Sequence, residues 1–118
     1  MALSRLAQEL AAEIRLQDWS DAPYRIDRAG HRREYDSNKG DKVLNANETA
    51  NIRTNVMWVV AQVLGHQDPN FDPHEFAQAC GVNAYNSRGG KSGVITSGLR
   101  RTPDGRYFKP GSLNPEDL

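Results

Sequence analysis

Apolar residues recur at helical spacing in the first part of the chain, from residue 3 to residue 16. Leu3, Leu6, Leu10 and Ile14 fall on one side of a helix, with charged and amide side chains between them. The pattern predicts an amphipathic helix over residues 3–16. Because the stripe stops at Asp18, it is too short for a coiled coil, and packing within the monomer is favoured over a dimer seam.

A second helix is predicted over residues 46–64. Asn45 suits the N-cap and Glu48 follows three residues later, which is a capping-box arrangement. Ile52, Val56, Val59, Val60 and Val63 then form one apolar stripe. Met57, Trp58 and Leu64 widen it until the second half of the helix is apolar nearly all round, and this half is predicted to be the central core helix. The asparagines before it form a polar ridge, which we interpret as surface or, alternatively, as a recognition face.

A third, shorter helix is predicted over residues 73–80. Asp72 suits its N-cap, Pro73 its first position and Gly81 its end. Phe71 and Phe76 occupy the two positions of a hydrophobic staple around its start.

Beyond Asn83 the pattern changes to short apolar runs separated by turn residues. Residues 94–101 and 106–109 flank Thr102-Pro103-Asp104-Gly105, a sequence typical of a β-turn, so a hairpin over about 94–109 is expected. The predicted fold class is therefore mainly α, with three helices and a small C-terminal β-hairpin, or α+β if the hairpin is ordered.

Length and texture predict one helical core domain over residues 1–85. Residues 86–118 form a basic, glycine-rich segment with an acidic terminus, and 118 residues allow only one modest core. The single cysteine, Cys80, excludes an intramolecular disulfide and suits a reducing compartment, so a cytoplasmic location is expected. The start of the chain lacks the pattern of a signal peptide, and the longest apolar run, residues 56–61, is too short for a membrane span.

Charge is segregated along a chain whose formal net charge is zero. Residues 82–111 hold one acid, Asp104, and six bases, which are Arg88, Lys91, Arg100, Arg101, Arg106 and Lys109. Tyr107 and Phe108 lie among these bases, and cations beside aromatic rings can pair with phosphate and stack on bases. Two further readings stay open: a solvated tail, and internal pairing with the acids of the preceding helices.

A second group of arginines lies in the polar stretch between the first two helices. Its members are Arg25, Arg28, Arg32 and Arg33. Acids alternate with them, so a solvated face with local ion pairs is favoured over a second nucleic-acid contact. Tyr24 and Tyr35 could stack on bases there or cover the edge of the core.

Familiar catalytic and metal motifs are not found. Gly90-Lys91-Ser92 lacks the earlier glycine of a P-loop, because that position is Tyr85. The ligand-capable side chains of residues 66–80 match no usual zinc spacing, and Cys80 lies at a helix end that disfavours a thiolate. We therefore expect no enzyme activity, no metal and no cofactor.

The segment Asp68-Pro69-Asn70-Phe71-Asp72, with Phe76 and Ala79-Cys80-Gly81, resembles one in small, largely uncharacterised proteins of actinobacteria and their phages. In those proteins a similar Asn-Pro-x-Phe-Asp stretch precedes a short helix that ends in Ala-Cys-Gly. The resemblance implies a phage-type or mobile-element accessory protein, and it implies no catalytic residue.

The first functional hypothesis is a small non-enzymatic protein that contacts nucleic acid through its basic C-terminal segment. The alternative is a protein that binds a host factor and inhibits or modulates it, with the same arginines and aromatics as interface anchors. A third is an assembly or virion component. The sequence leaves the partner, the choice between DNA and RNA, and the oligomeric state open.

Overall fold

The computed structural model describes residues 3–114 and is mainly helical. Four α-helices follow in order: α1 (Arg5–Leu16), α2 (Ala46–Gln67), α3 (Pro73–Ala79) and α4 (Gly93–Ser97). Two short 3₁₀ turns, Ala22–Tyr24 and Arg33–Tyr35, lie in the long connection between α1 and α2. Within residues 3–114 no helix is both long and apolar enough to cross a membrane.

Side-chain caps fix where the longer helices begin. The Ser4 hydroxyl accepts a hydrogen bond from the Ala7 amide at 3.1 Å. Asn45 and Glu48 form the reciprocal capping box that the sequence predicts, and Asp72 accepts from the first amides of α3. Each cap satisfies a backbone donor that has no partner inside its helix.

The core lies where α1, α2 and α3 pack on one another, with α4 packed against α3. Ala7 and Ala11 on α1 are buried, and small side chains at this spacing let a neighbouring helix approach closely. The other core residues come from every later element, and they include Met57, Ala61, Leu64, Phe76, Ala77, Cys80, Ile95 and Leu99. Residues of the C-terminal segment thus complete the core.

The predicted β-hairpin is wrong. Residues 93–97 form helix α4, and the described part of the chain contains isolated bridges, Tyr85 with Lys91 and Arg101 with Tyr107, but no strand. The Ser92 side chain caps α4, and a helical turn brings Ile95 and Leu99 into the core together. Burial of these two side chains overrides the β-propensity of the local sequence.

The predicted turn at residues 102–105 does form. The Gly105 amide donates to the Thr102 carbonyl at 2.9 Å, and Gly105 has a φ of 91°, a backbone conformation that suits glycine. The segments that this turn joins pair only at the isolated bridge of Arg101 with Tyr107 and form no strand.

The predicted apolar stripe on α2 is covered only in part: Val56 and Val60 pack against the core, but the fully buried positions lie beside the stripe. Val59 is 71% exposed, whereas Met57 and Ala61 are fully buried. Val59 lies two residues from each, which is about 200° around the helix axis. The helix buries its methionine, alanine and leucine and leaves valines partly in solvent.

Two glycines let aromatic rings lie directly on the backbone. A Cβ added at Gly65 would overlap the ring of Tyr107, and one added at Gly98 would overlap the ring of Trp58. The C-terminal segment therefore approaches α2 more closely than a residue with a side chain would allow.

The contact of Gly65 with Tyr107 predicts that two glycine-to-alanine changes in helices have different effects on the free energy of unfolding. Gly65→Ala should destabilise the protein by about 1–3 kcal/mol, because the methyl group forces the Tyr107 ring out of place. Gly93→Ala, which has open space around the new Cβ, should stay within about 0.5 kcal/mol of wild type. Urea unfolding followed by circular dichroism gives both free energies, and equal values would contradict the packing described here.

Candidate functional site

The basic segment, residues 82–111, is anchored on α2 by the side-chain amide of Gln62. Its Oε1 accepts from the Arg100 backbone amide at 2.8 Å, and its Nε2 donates to the Arg100 carbonyl at 3.0 Å. The same Nε2 lies 3.3 Å from the Phe108 carbonyl, to which it also donates. Gln62 is only 4% exposed, so these bonds satisfy an amide that burial would otherwise leave without partners.

Two more side chains from the helices bind the backbone of this segment. The Trp58 Nε1 donates to the Ile95 carbonyl at 2.8 Å. The His74 Nε2 lies 2.9 Å from the Ser92 carbonyl, and since a carbonyl only accepts, this ring nitrogen carries the proton. The hydrogen bonds from Gln62 and Trp58 involve neutral groups.

One alternative from the sequence was that the C-terminal bases pair with the acids of the preceding helices. Such ion pairs are not present between the described residues. No ion pair there joins the bases of the segment to Glu48, Asp68, Asp72 or Glu75. Arg106 pairs with Asp104 of its own turn, at 3.2 Å, and both side chains are about two-thirds exposed. The segment is thus docked without neutralising its cations.

The predicted cations divide into two sets. Arg88, Lys91, Arg106 and Lys109 are exposed. Arg100 and Arg101 are partly buried: the Arg100 Nε donates to the Ser112 carbonyl at 2.9 Å, and the Arg101 guanidinium lies 5.6 Å from the centre of the Tyr107 ring.

The two predicted stacking residues are engaged in packing. Tyr107 lies against Gly65, and its ring centre is 6.5 Å from that of Phe71. Burial raises the pKa of the Tyr107 hydroxyl. Phe108 is partly buried, and its carbonyl accepts from Gln62. The Tyr107 ring could not stack on a nucleic-acid base without leaving these contacts, whereas the contact of Phe108 is made by its backbone.

The arginine loop, residues 18–44, uses most of its arginines for local contacts. Arg25 pairs with Asp36 and lies 3.6 Å from Asp27. The Arg33 Nε lies 3.7 Å from Asp21. The local ion pairs that the alternating charges predict are present, but the face is not simply solvated, because Asp21 and Asp27 are buried.

Arg28 and Arg32 remain at the surface of this loop. Arg32 donates to the Leu16 carbonyl at 2.9 Å and pairs with Glu34 at 3.3 Å, but its side chain is still 44% exposed. The Arg28 side chain is exposed. Both line a surface cavity of about 470 Å³ together with Arg25 and Tyr35, and Tyr35 is 83% exposed.

The centre of the arginine loop is a buried polar cluster made of Asp21, Asp27 and His31. The side chains are 2%, 8% and 6% exposed, respectively. The His31 Nε2 lies 3.1 Å from Asp21 Oδ1 and 3.5 Å from Asp27 Oδ1. The sequence analysis missed this cluster, because carboxylates in an apolar-poor stretch look like surface, and only the four-residue spacing of Asp27 and His31 hints at it.

Hydrogen bonds from neighbouring backbone hold the cluster in place. Asp18 accepts from the amides of Ser20 and Arg33, each at 3.0 Å. Burial opposes ionisation of Asp18, but these hydrogen bonds outweigh it and hold the pKa below its ordinary value. Gln17, the C-cap residue of α1, donates to the Arg28 carbonyl and accepts from the Gly30 amide, so the middle of the loop is tied to the end of that helix.

The ligand-capable side chains of residues 66–80 have structural roles. Asp72 caps α3, and His74 binds the Ser92 carbonyl. Cys80 is fully buried, and burial raises the pKa of its thiol to about 12. A thiol with that pKa is not a nucleophile near neutral pH.

Comparison of the chain with protein-family models, with curated proteins and with solved structures found no match. The resemblance to phage and actinobacterial proteins therefore stays a prediction from residues 68–81. Function has to be argued from the geometry above.

The anchoring role of Gln62 predicts a large stability loss on Gln62→Leu. The change leaves the Arg100 amide without a partner, whereas the Arg100 carbonyl still accepts from the Phe108 amide at 2.9 Å. The loss should cost about 1–3 kcal/mol. Gln67→Leu, at the exposed end of the same helix, is the matched control and should cost less than about 0.5 kcal/mol. Equal unfolding midpoints in urea for the two variants would show that Gln62 does not anchor the segment.

Proposed function

We propose that the protein is a small, non-enzymatic nucleic-acid-binding protein. Its contacts with phosphate would come from the exposed cations of the C-terminal segment, which are Arg88, Lys91, Arg106 and Lys109. One observation carries the proposal: the segment docks on α2 through hydrogen bonds of Gln62 and Trp58, so docking consumes none of these four charges. Exposed cations on an anchored segment favour an anionic partner.

The turns that carry two of these cations are held by their own side chains. Asn86 Oδ1 accepts from the amides of Arg88 and Gly90, each at 2.9 Å. In the other turn, Thr102 Oγ1 accepts from the Arg106 amide at 3.1 Å. A cation on a held turn loses less conformational freedom on binding, which favours affinity.

The surface cavity of the arginine loop supports a second contact of the same kind. Arg28 and Arg32 lie there beside the exposed ring of Tyr35. A guanidinium next to an exposed aromatic ring suits a phosphate and its adjoining base. Tyr35, one of the two tyrosines for which stacking was an alternative from the sequence, thus takes the role first assigned to Tyr107 and Phe108.

A protein partner is the second candidate, and exposed apolar side chains favour it. Val59 on α2 is 71% exposed and Ile26 in the arginine loop is 98% exposed. Exposed apolar side chains of this kind suit a host factor better than a phosphate backbone. In this case binding would depend on Val59 and respond weakly to salt.

Titration of labelled single-stranded DNA, duplex DNA and RNA with the protein over a salt series separates the two proposals. Binding to phosphate should give a linear fall of log K with log salt concentration. Replacing Arg88, Lys91 and Lys109 together by glutamine should reduce the duplex slope by about 2–3, since each phosphate contact contributes about 0.9.

Arg5→Gln is the matched control, because Arg5 is an exposed base on α1 outside both candidate surfaces. It should leave the slope unchanged. A slope near zero for the wild type would refute nucleic-acid binding through these cations. Loss of binding to a captured host protein on Val59→Glu, with Arg88→Gln without effect, would favour the second candidate.

A further inference from the structure

The buried cluster of Asp21, Asp27 and His31 has polar atoms that the protein itself does not satisfy. Of the four carboxylate oxygens, only Asp21 Oδ1 has a hydrogen bond; Asp21 Oδ2 and both oxygens of Asp27 have none. Buried polar groups without partners are rare in native proteins, and each one needs an explanation such as a bound water or ion. Asp27 is the clearest case, because its side chain is only 8% exposed and neither of its oxygens has a hydrogen bond.

The arrangement of the three side chains matches the ligands of a small divalent cation. Zinc binds imidazole nitrogen and carboxylate oxygen at about 2.0–2.2 Å, so two ligand atoms of a tetrahedral site lie about 3.4 Å apart. The His31 Nε2 lies 3.1 Å from one carboxylate oxygen and 3.5 Å from the other. One oxygen of each aspartate and this nitrogen all lie within 4.8 Å of one another.

The charges around His31 also leave room for a dication. Four carboxylates lie around this ring: Asp21 and Asp27 contact it, at 3.1 and 3.5 Å, and Asp18 and Asp36 lie further out. The guanidinium groups facing the same carboxylates are those of Arg25 and Arg33. With a neutral imidazole, the four carboxylates exceed the two guanidiniums by two negative charges.

A protonated His31 is the competing explanation, and it accounts for less. An imidazolium supplies one positive charge and one proton on Nε2, so it leaves one negative charge in excess and Asp27 Oδ2 without a donor.

We propose that Asp21, Asp27 and His31 form a binding site for a zinc-class divalent metal ion. The imidazole nitrogen favours zinc over magnesium or calcium, which prefer oxygen ligands. The fourth position would be taken by water or by a second carboxylate oxygen. Arg25 lies 3.6 Å from Asp27 and Arg33 lies 3.7 Å from Asp21, so each guanidinium orients one of the two aspartates from outside the site.

The ion would hold together a loop that has no apolar core of its own. Within residues 18–44 the side chains of Asp21, Asp27 and His31 are at most 8% exposed, and all three are polar. Loops of this length without regular structure are uncommon in small domains, and a metal is one of the usual means of holding them. The site is independent of the nucleic-acid proposal, and either could fail alone.

The test uses the full chain, stripped of metal with EDTA and then titrated with Zn²⁺ by calorimetry. The wild type should bind one ion per chain. Asp27→Asn should weaken the affinity at least about a hundredfold. Changes to residues that only orient the ligands cost about 10–100-fold in metal affinity, and loss of a ligand itself costs more. Asp41→Asn removes an exposed acid from the same loop and should bind like wild type.

A second measurement on the wild type covers the case in which Asp27→Asn fails to fold. Nitrogen NMR of the ring resonances resolves the three histidines, His31, His66 and His74. One equivalent of Zn²⁺ should shift the His31 resonances and leave the other two in place. Absence of saturable binding, unmoved His31 resonances, or equal affinity in Asp27→Asn would each overturn the site.

Discussion

The side-chain amide of Gln62 meets both backbone groups of Arg100, and the placement of the C-terminal third of the chain depends on this contact. An amide has one donor group and one acceptor group, so it can replace a missing strand partner for one residue. Around it, Gly65 and Gly98 allow the rings of Tyr107 and Trp58 to lie against backbone. Ile95 and Leu99 then reach the core from a segment that has little regular structure.

This mode of docking determines what the charges of the molecule are free to do. If the bases of the C-terminal segment paired with the acids of α2 and α3, their charges would be neutralised within the fold and could not bind an external anion. Gln62 and Trp58 dock the segment with neutral groups instead, and Arg88, Lys91 and Lys109 stay exposed. The charge segregation along the sequence thus becomes a property of the surface, and the nucleic-acid proposal rests on it.

Local signals predicted the helices well, since they are short-range effects. The capping box of Asn45 and Glu48 and the cap at Asp72 depend on residues within one turn. The hairpin was wrong because Val94, Ile95 and Thr96 have β-propensity, whereas burial of Ile95 against distant helices favours a helical turn. The buried face of α2 was misjudged for a similar reason: several apolar residues surround the helix, and periodicity alone does not say which of them are covered.

The arginine loop was the least predictable part of the chain. Its order comes from hydrogen bonds between residues far apart in sequence, such as Asp18 with Arg33 and Gln17 with Arg28. Such contacts leave no periodic pattern. The sequence did indicate local ion pairs among its arginines, but it gave no sign that Asp21 and His31 are buried.

Amide hydrogen exchange under native conditions tests the docking of the C-terminal segment most directly. The Arg100 amide, bonded to Gln62, should exchange as slowly as the amides of Met57 and Ala61 in α2, because it should open only with global unfolding. Exchange of the Arg100 amide at the rate of exposed turn amides such as that of Gly89 would contradict the account. It would mean that the segment detaches on its own and that its exposed cations are not held on a fixed surface.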